Sequence, residues 1–270
     1  MATQHRAKKR FGQNFLSDPG IIQRIIQSIN PKPGQRLIEI GPGLGALTCP
    51  ILKIVGEMDV IELDRDIVPK LQLNCGLDYS TEKKLRIHNI DVLNFDFNSL
   101  TADQHLRLVG NLPYNISTPL LFHIFNHAHN IEDMHFMLQK EVVDRMAATP
   151  GSKRYGRLSI MTQYHCEVEP LFDVAPGSFN PPPKVKSSIV RLIPHAKKPV
   201  TVTDYLQFAH IVNQAFSLRR KTMRNALKTI ISEQGLNDCD IDPTKRPETI
   251  SLKEFATISD YISEHPEESE

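Results

Sequence analysis

A short apolar strand, Arg36–Ile40, runs straight into Gly41-Pro42-Gly43-Leu44-Gly45, and Ala46–Val55 then continues at helical spacing. Strand, glycine loop and helix in that order begin a βαβ unit, which restricts the chain to an open α/β sheet. Glycines in such a loop let the backbone come close to a ligand. The spacing is GxGxG rather than GxGxxG, and no Gly-Lys-Ser/Thr follows, so a P-loop is excluded. Met58–Leu63 is the next strand and carries Glu62, 21 residues beyond Gly41. An acid at that point is placed to accept hydrogen bonds from ribose hydroxyls; a solvated surface carboxylate is the bland alternative.

The pattern repeats down the chain. After a helix over Arg65–Asn74, Leu85–His88 is a third strand, followed by Asp91. Asp91 can accept from an adenine amino group, although Phe95 and Phe97 beyond it also suit a plain turn residue. Leu106–Val109 is the fourth strand and leads through Gly110 into Asn111-Leu112-Pro113-Tyr114. Asn111 offers an amide oxygen, Pro113 leaves the Leu112 carbonyl free to accept, and Tyr114 offers a π face for a base. Taken alone, an Asn-x-Pro stretch after a strand is usually only a turn. Ligands of open α/β sheets bind outside the carboxyl ends of the strands, so Gly41, Glu62, Asp91 and Asn111 are expected to converge.

Ser17 or Asp18 followed by Pro19 starts a helix carrying Ile21, Ile22, Ile25, Ile26 and Ile29 on one face. Ahead of it, Arg10–Leu16 interleaves two aromatics with two amides. It can clamp a ligand or tuck two Phe rings onto the core, and pattern alone favours packing. Further on, a helix from Ser117 to His127, a strand over Asp133–Leu138 and helices over Lys140–Ala148 and Arg157–His165 are expected. Glu167–Val174 and Val185–Leu192 read as an antiparallel edge pair. Between those two strands, Pro181, Pro182 and Pro183 stiffen a loop bearing Phe179. That Phe is either a packed linker residue or a second aromatic wall facing Tyr114. Pro194–Val202 reads as a domain boundary. Beyond it strands cease, and helices are expected over Asp204–Phe216, Ser217–Ser232 and Ser251–Ser263.

The net charge of +1 conceals segregated basic stretches. Lys8, Lys9 and Arg10 form one, for which a solvated terminus is the simplest reading. Arg219, Arg220, Lys221, Arg224 and Lys228 form another, with no acid between Tyr205 and Ser232. Such segregation is compatible with phosphate binding. Four scattered cysteines (Cys49, Cys75, Cys166, Cys239) without a CxxC pair read as buried or reduced thiols rather than a disulfide framework or zinc site. His123 and His127 lie four apart but bring no acid or thiol, so no metal is expected. No apolar run reaches membrane-span length, and no signal peptide is evident. A zinc deaminase is excluded by the missing His-x-Glu and Pro-Cys-x-x-Cys pattern.

Glu39-Ile40-Gly41-Pro42-Gly43-Leu44-Gly45-Ala46-Leu47-Thr48 resembles the S-adenosylmethionine loop of class I methyltransferases. Phe11–Leu16, Asn111–Ser117, Phe179–Val185 and Arg219–Asn225 are similar to the ribosomal RNA adenine dimethyltransferases, above all to their bacterial small-subunit branch. The likeness spans essentially the whole chain, with no departure at a motif position. It implies a Rossmann-like, mostly parallel α/β domain over residues 17–194, a cofactor-closing arm over 1–16 and a small all-α RNA-binding domain over 195–270. It implies cofactor contacts from Asn14, Leu16, Gly41, Gly43, Glu62, Asp91 and Asn111. Adenine would be handled by Asn111, Leu112, Tyr114 and Phe179, and RNA by Arg219, Arg220, Lys221 and Arg224. The expected activity is N6-dimethylation of two adjacent adenines in a hairpin loop near the 3′ end of 16S rRNA within the assembling small subunit. A monomer in a bacterial cytoplasm is expected. Methylation of DNA adenine or of a protein glutamine, and a non-catalytic assembly role, are the rival readings; the basic helical region and the Phe179 loop favour RNA.

Overall fold

The structure is a computed structural model that describes residues 13–76, 84–100, 104–218 and 220–266. Two compact units share the chain. The first runs to Val143 and resumes over Glu169–Pro194; the second takes Asp144–Val168 and continues from His195. The second unit thus includes a stretch ahead of position 195 as well as the residues after it.

The first unit holds β1 (Phe15–Leu16), α1 (Pro19–Ile29), β2 (Leu37–Ile40), α2 (Thr48–Val55), β3 (Glu57–Ile61), α3 (Val68–Asn74) and β4 (Lys84–His88). After these come β5 (Leu106–Asn111), α4 (Ser117–Phe125) and β6 (Ile131–Gln139). The chain then passes through α5 (Lys140–Met146), α6 (Arg157–His165), β7 (Cys166–Val174), β8 (Phe179–Asn180) and β9 (Ser187–Pro194). The large sheet has the order β4-β3-β2-β5-β6-β9-β7. Neighbours from β4 through to β6 are parallel, and β9 runs antiparallel to β6. The mostly parallel α/β architecture expected from the repeated strand–loop–helix pattern is the one adopted. Its inner strands are enclosed on both faces: every residue of β2 is buried, Glu39 included.

Strand order reverses between β2 and β5, and there a cleft opens beyond their carboxyl ends. Two features let the strands meet closely. In the β2–β5 register Glu39 lies beside Val109, so two residues further on Gly41 lies beside Asn111. Gly110 is also obligatory: a Cβ there would stand 2.5 Å from the Ile40 carbonyl oxygen. Helix α1 starts where its sequence signals place it, with the Asp18 carboxylate accepting from the Gly20 and Ile21 amides. It buries Ile25 and Ile29 in a core with Leu37, Leu52 and Met58. A fully buried side chain of this size stabilises the fold by about 1.5–3 kcal/mol.

The second unit also carries α7 (Tyr205–Ser217), α8 (Met223–Ala226), α9 (Glu233–Asp238) and α10 (Leu252–Glu264). Ser217–Ser232 is not one helix: α7 stops at Ser217, and among the described residues in the rest of the stretch only Met223–Ala226 is α-helical. Thr222 stands at the start of α8, and the Ser232 hydroxyl accepts from the Gly235 amide to start α9, a helix the sequence reading omitted. The Met223 and Arg224 amides donate outward, to the Lys245 and Pro243 carbonyls, instead of back into a longer helix.

Candidate active site

A cavity of about 970 Å³ lies over the carboxyl ends of β2, β3 and β5, within the first unit. Gly41, Gly43, Glu62, Asp91 and Asn111 all line it, together with Asn14 and Leu16. The convergence expected from four separate strand ends therefore occurs.

The glycine loop forms one wall. Gly43 has φ +52° and faces the Phe15 ring so closely that a Cβ would come within 3.0 Å of it. Two further constraints hold the loop: the Gly41 amide donates to the Ile61 carbonyl, and the Gly45 amide donates to Pro42. Just beyond it, Cys49 and Cys75 are joined in a disulfide, contrary to the expectation of free thiols. They are remote in sequence, but packing of α2 beside the end of α3 brings their Cα atoms to 4.8 Å.

Two buried carboxylates face the cavity. Glu62 accepts from the Asp64 amide at 2.7 Å and from the Gly43 and Leu63 amides. Loss of water pushes its pKa up, and those backbone donors oppose the rise. Glu39 is still more enclosed, and burial raises its pKa to about 7 against the opposing hydrogen bond from Thr48 Oγ1, at 2.6 Å. Glu62 adds a smaller like-charge push in the same direction. Acceptors of this kind suit a ligand that brings hydroxyl donors and positive charge. Asp91 lines the cavity, and one carboxylate oxygen accepts from the Leu93 amide to start a short 3-10 turn.

Asn111 ends β5, and its side-chain NH2 donates to the Asn14 carbonyl at 2.9 Å. Because that partner is a carbonyl, only the NH2 end of the amide can face it. The Oδ1 end is turned elsewhere as an acceptor. Leu112 is buried and donates its amide to the Met137 carbonyl. Tyr114 is half-buried, with its hydroxyl 2.7 Å from Ser187 Oγ; burial raises its pKa. Ser187, fully buried, escaped the sequence reading because nothing near it in the chain marks it.

Phe179 is placed differently from the aromatic wall imagined in the sequence. Only 4% of it is exposed, among core residues that include Leu16, Val174 and Ile189. The cause is a two-residue antiparallel ladder that pairs Phe15 with Asn180 and Leu16 with Phe179. Neighbours in a strand point to opposite faces, so Phe179 turns inward while exposed Asn180 lines the cavity. Gln13–Leu16 thus line the cavity as well as packing, and Phe11 and Gly12 lie outside the described residues.

Of the basic residues assigned to RNA, Arg220, Lys221 and Arg224 are exposed in the second unit, and Arg219 lies outside the described residues, as do Lys8, Lys9 and Arg10. Arg224 is 3.4 Å from Glu233. The His123 and His127 rings pack against Phe97, and His123 Nε2 bonds to the Phe95 carbonyl. Among the described residues no group of three His, Cys, Asp or Glu is placed to hold a metal, and no helix is long and apolar enough to cross a membrane.

Comparison with known proteins bears on this geometry. Residues 4–264 match the family model described as ribosomal RNA adenine dimethylase. The ribosomal RNA small subunit methyltransferase A of Pseudomonas aeruginosa is 55% identical over 264 residues, 97% of each chain. A dimethyladenosine transferase from Plasmodium falciparum superposes with a TM-score of 0.79 at 26% identity, over 93% of this chain and 98% of that one. The 23S rRNA methyltransferase ErmE shares the fold, with a TM-score of 0.68 at 21% identity over 93% of this chain and all of that one. These matches span both units of a Rossmann-like methyltransferase fold: the chain belongs to the ribosomal RNA adenine dimethylase family of methyltransferases.

Proposed function

We propose that this chain uses S-adenosylmethionine to dimethylate N6 of two adjacent adenines in a hairpin loop near the 3′ end of 16S rRNA, acting on the assembling small subunit as a cytoplasmic bacterial monomer. One observation supports the chemical part: Asn111 lines the cavity and donates its NH2 to the Asn14 carbonyl, an orientation that leaves Oδ1 to act as the acceptor. When bound, the cofactor supplies a methyl group on a positively charged sulfur.

Glu62 and Asp91 accept from the ribose and adenine of that nucleoside, and the Gly41–Gly43 backbone admits it closely. Glu39 offers negative charge at the methionine end. The target N6 is a poor nucleophile, because its lone pair is delocalised into the ring. Asn111 Oδ1 and the Leu112 carbonyl accept its two hydrogens and draw it towards tetrahedral geometry. They also meet the positive charge that develops on nitrogen. Placing nitrogen, methyl and sulfur in line supplies much of the remaining acceleration. No strong base is needed beforehand, since the nitrogen sheds its proton after transfer.

Tyr114, steadied by Ser187, stacks the extruded base. Phe179 reaches the other face of that base only when the Leu16–Phe179 ladder shifts. Arg220, Lys221 and Arg224, with Arg219, hold the RNA backbone. The deciding experiment offers unmethylated small subunits and naked 16S rRNA to the protein with labelled cofactor, and identifies the product nucleotide by mass. N6,N6-dimethyladenosine in the subunits supports the reading; label on another base or on protein removes it.

A further inference from the structure

Residues Gln13 to Leu16 touch a different wall of the cavity at each step. Gln13 Nε2 donates to Asp64 Oδ2 at 3.0 Å, beyond the end of β3. The Asn14 carbonyl receives the Asn111 amide at the end of β5. Phe15 covers Gly43 of the glycine loop, and Leu16 pairs with Phe179. Asp64 is buried, its other oxygen accepts from the Asp66 amide, and its own amide donates to Glu62 Oε1. A hydrogen-bonded path therefore runs from the Glu62 carboxylate through Asp64 to Gln13, and Asn14 is the next residue.

A two-residue ladder is too short to hold such a strap down alone. Its side-chain anchors decide whether it stays in place. Gln13 supplies a donor to a carboxylate, a bond roughly twice as strong as a neutral one. If that bond is lost, the strap lifts at the ribose end, and the Asn14 carbonyl leaves the Asn111 amide with it. An amide without that partner can rotate by half a turn and present NH2 where the amine needs an acceptor.

We infer that Gln13 is a positioning residue: by latching onto Asp64 it holds the Asn14 carbonyl against Asn111, so closure over the cofactor and orientation of the amine acceptor are one event. This rests on the methyl-transfer reading above. It goes beyond that reading by giving a task to a side chain remote from the reacting nitrogen.

The test uses the full chain with Gln13→Ala, Gln13→Glu and Gln13→Lys. Three quantities are read: S-adenosylhomocysteine affinity by calorimetry, single-turnover transfer to unmethylated small subunits at saturating cofactor, and the Asn111 side-chain amide resonances in asparagine-labelled protein, assigned with Asn111→Ala. Gln13→Ala is expected to weaken S-adenosylhomocysteine roughly tenfold, as befits one hydrogen bond to a charged group. It should slow saturated transfer by a similar factor and shift the Asn111 amide. Gln13→Glu, an acid against an acid, should do more; Gln13→Lys, which keeps a donor for Asp64, should restore all three. Equal behaviour of the Ala, Glu and Lys variants and the parent overturns the inference. So does weaker binding with the Asn111 resonances and saturated transfer unchanged, which makes Gln13 a mere lip of the cofactor site. Should the parent protein transfer no methyl at all, the function reading fails, while the amide resonances still decide whether the latch exists.

Discussion

The same sheet buries carboxylates at both of its ends, and it treats them in opposite ways. At the amino-terminal end of β6, Asp133 receives a two-pronged grip from Arg107, whose Nε and Nη2 lie 2.8 and 2.9 Å from its two oxygens. Arg191 stands 3.4 Å away and His135 3.8 Å. Burial alone would raise the Asp133 pKa, but the Arg107 hydrogen bonds and the surrounding positive charge bring it below the ordinary value. At the carboxyl-terminal end, Glu39 and Glu62 are as deeply enclosed, and their acceptors are met by a hydroxyl and backbone amides, not by a cation. Their pKa values rise. A buried charge without a counter-charge costs stability, which a fold tolerates where a ligand supplies the missing partner. One end of the sheet is finished by its own residues; the other is completed by what binds.

Substitution should separate the two ends, and the largest effect belongs to the finished one. Asp133→Ala leaves Arg107 buried with its other partners, the Ile29 carbonyl and Gln35, but without its carboxylate. It should cost about 3–5 kcal/mol, the usual loss when one member of a buried pair is removed. Denaturant unfolding measures that loss, and cofactor affinity of the remaining folded protein should stay at the parent value. Glu62→Gln should reverse the pattern. Stability should change little, whereas S-adenosylmethionine affinity should fall by roughly 100-fold, about 2.7 kcal/mol, through loss of a charged acceptor. If Glu62→Gln unfolds the protein while Asp133→Ala empties the cavity, the comparison is wrong. Asn111→Ala should lower turnover by roughly 100-fold or more, in the range for loss of one preorganised polar group, with cofactor binding and stability changed much less. Near-parent turnover would remove the amine clamp.

How legible each end was in the sequence follows from where its partners lie. Gly41, Glu62, Asp91 and Asn111 stand at the ends of apolar runs, and one rule about open sheets gathers them without any pairing being known. Arg107 and Asp133 sit inside runs that read only as strands. Their meeting depends on the β5–β6 register, which places them side by side across the ladder and cannot be seen in either strand alone. Cys49 and Cys75 were misread for the same reason, since helix packing, not spacing, brings them together. For Phe179 two placements stayed open in the sequence, because a Pro-rich loop says how stiff it is but not which face it turns, and its ladder with Leu16 crosses most of the chain. In the second unit the basic, acid-free stretch has helical composition throughout. Thr222 and Ser232 stand at the starts of α8 and α9, and the Ser232 hydroxyl takes the Gly235 amide, a local chemistry that averaging over the stretch conceals.

The smallest effect is a pH dependence, and it tests the open end most sharply. In the folded chain Glu39 has its pKa raised to about 7 from the ordinary 4.5. A carboxyl that binds its proton more tightly when folded makes its full contribution to stability below its unfolded pKa. That contribution is then lost as pH rises through the interval from 4.5 to about 7. Affinity for a cation moves the other way, because only the ionised Glu39 attracts it. S-adenosylmethionine should therefore bind more tightly as pH climbs from 6 to 8, by at most about tenfold, the value of one pKa unit. Comparing the parent with Glu39→Gln, each by calorimetry across that range, isolates the contribution of this one carboxyl from the titration of the ligand's own amino group. The parent curve should rise relative to the variant, and the stability loss between pH 4.5 and 7 should flatten in the variant. Parallel curves for parent and variant would mean that Glu39 is already ionised and screened at pH 6, and that the open end of the sheet is matched after all.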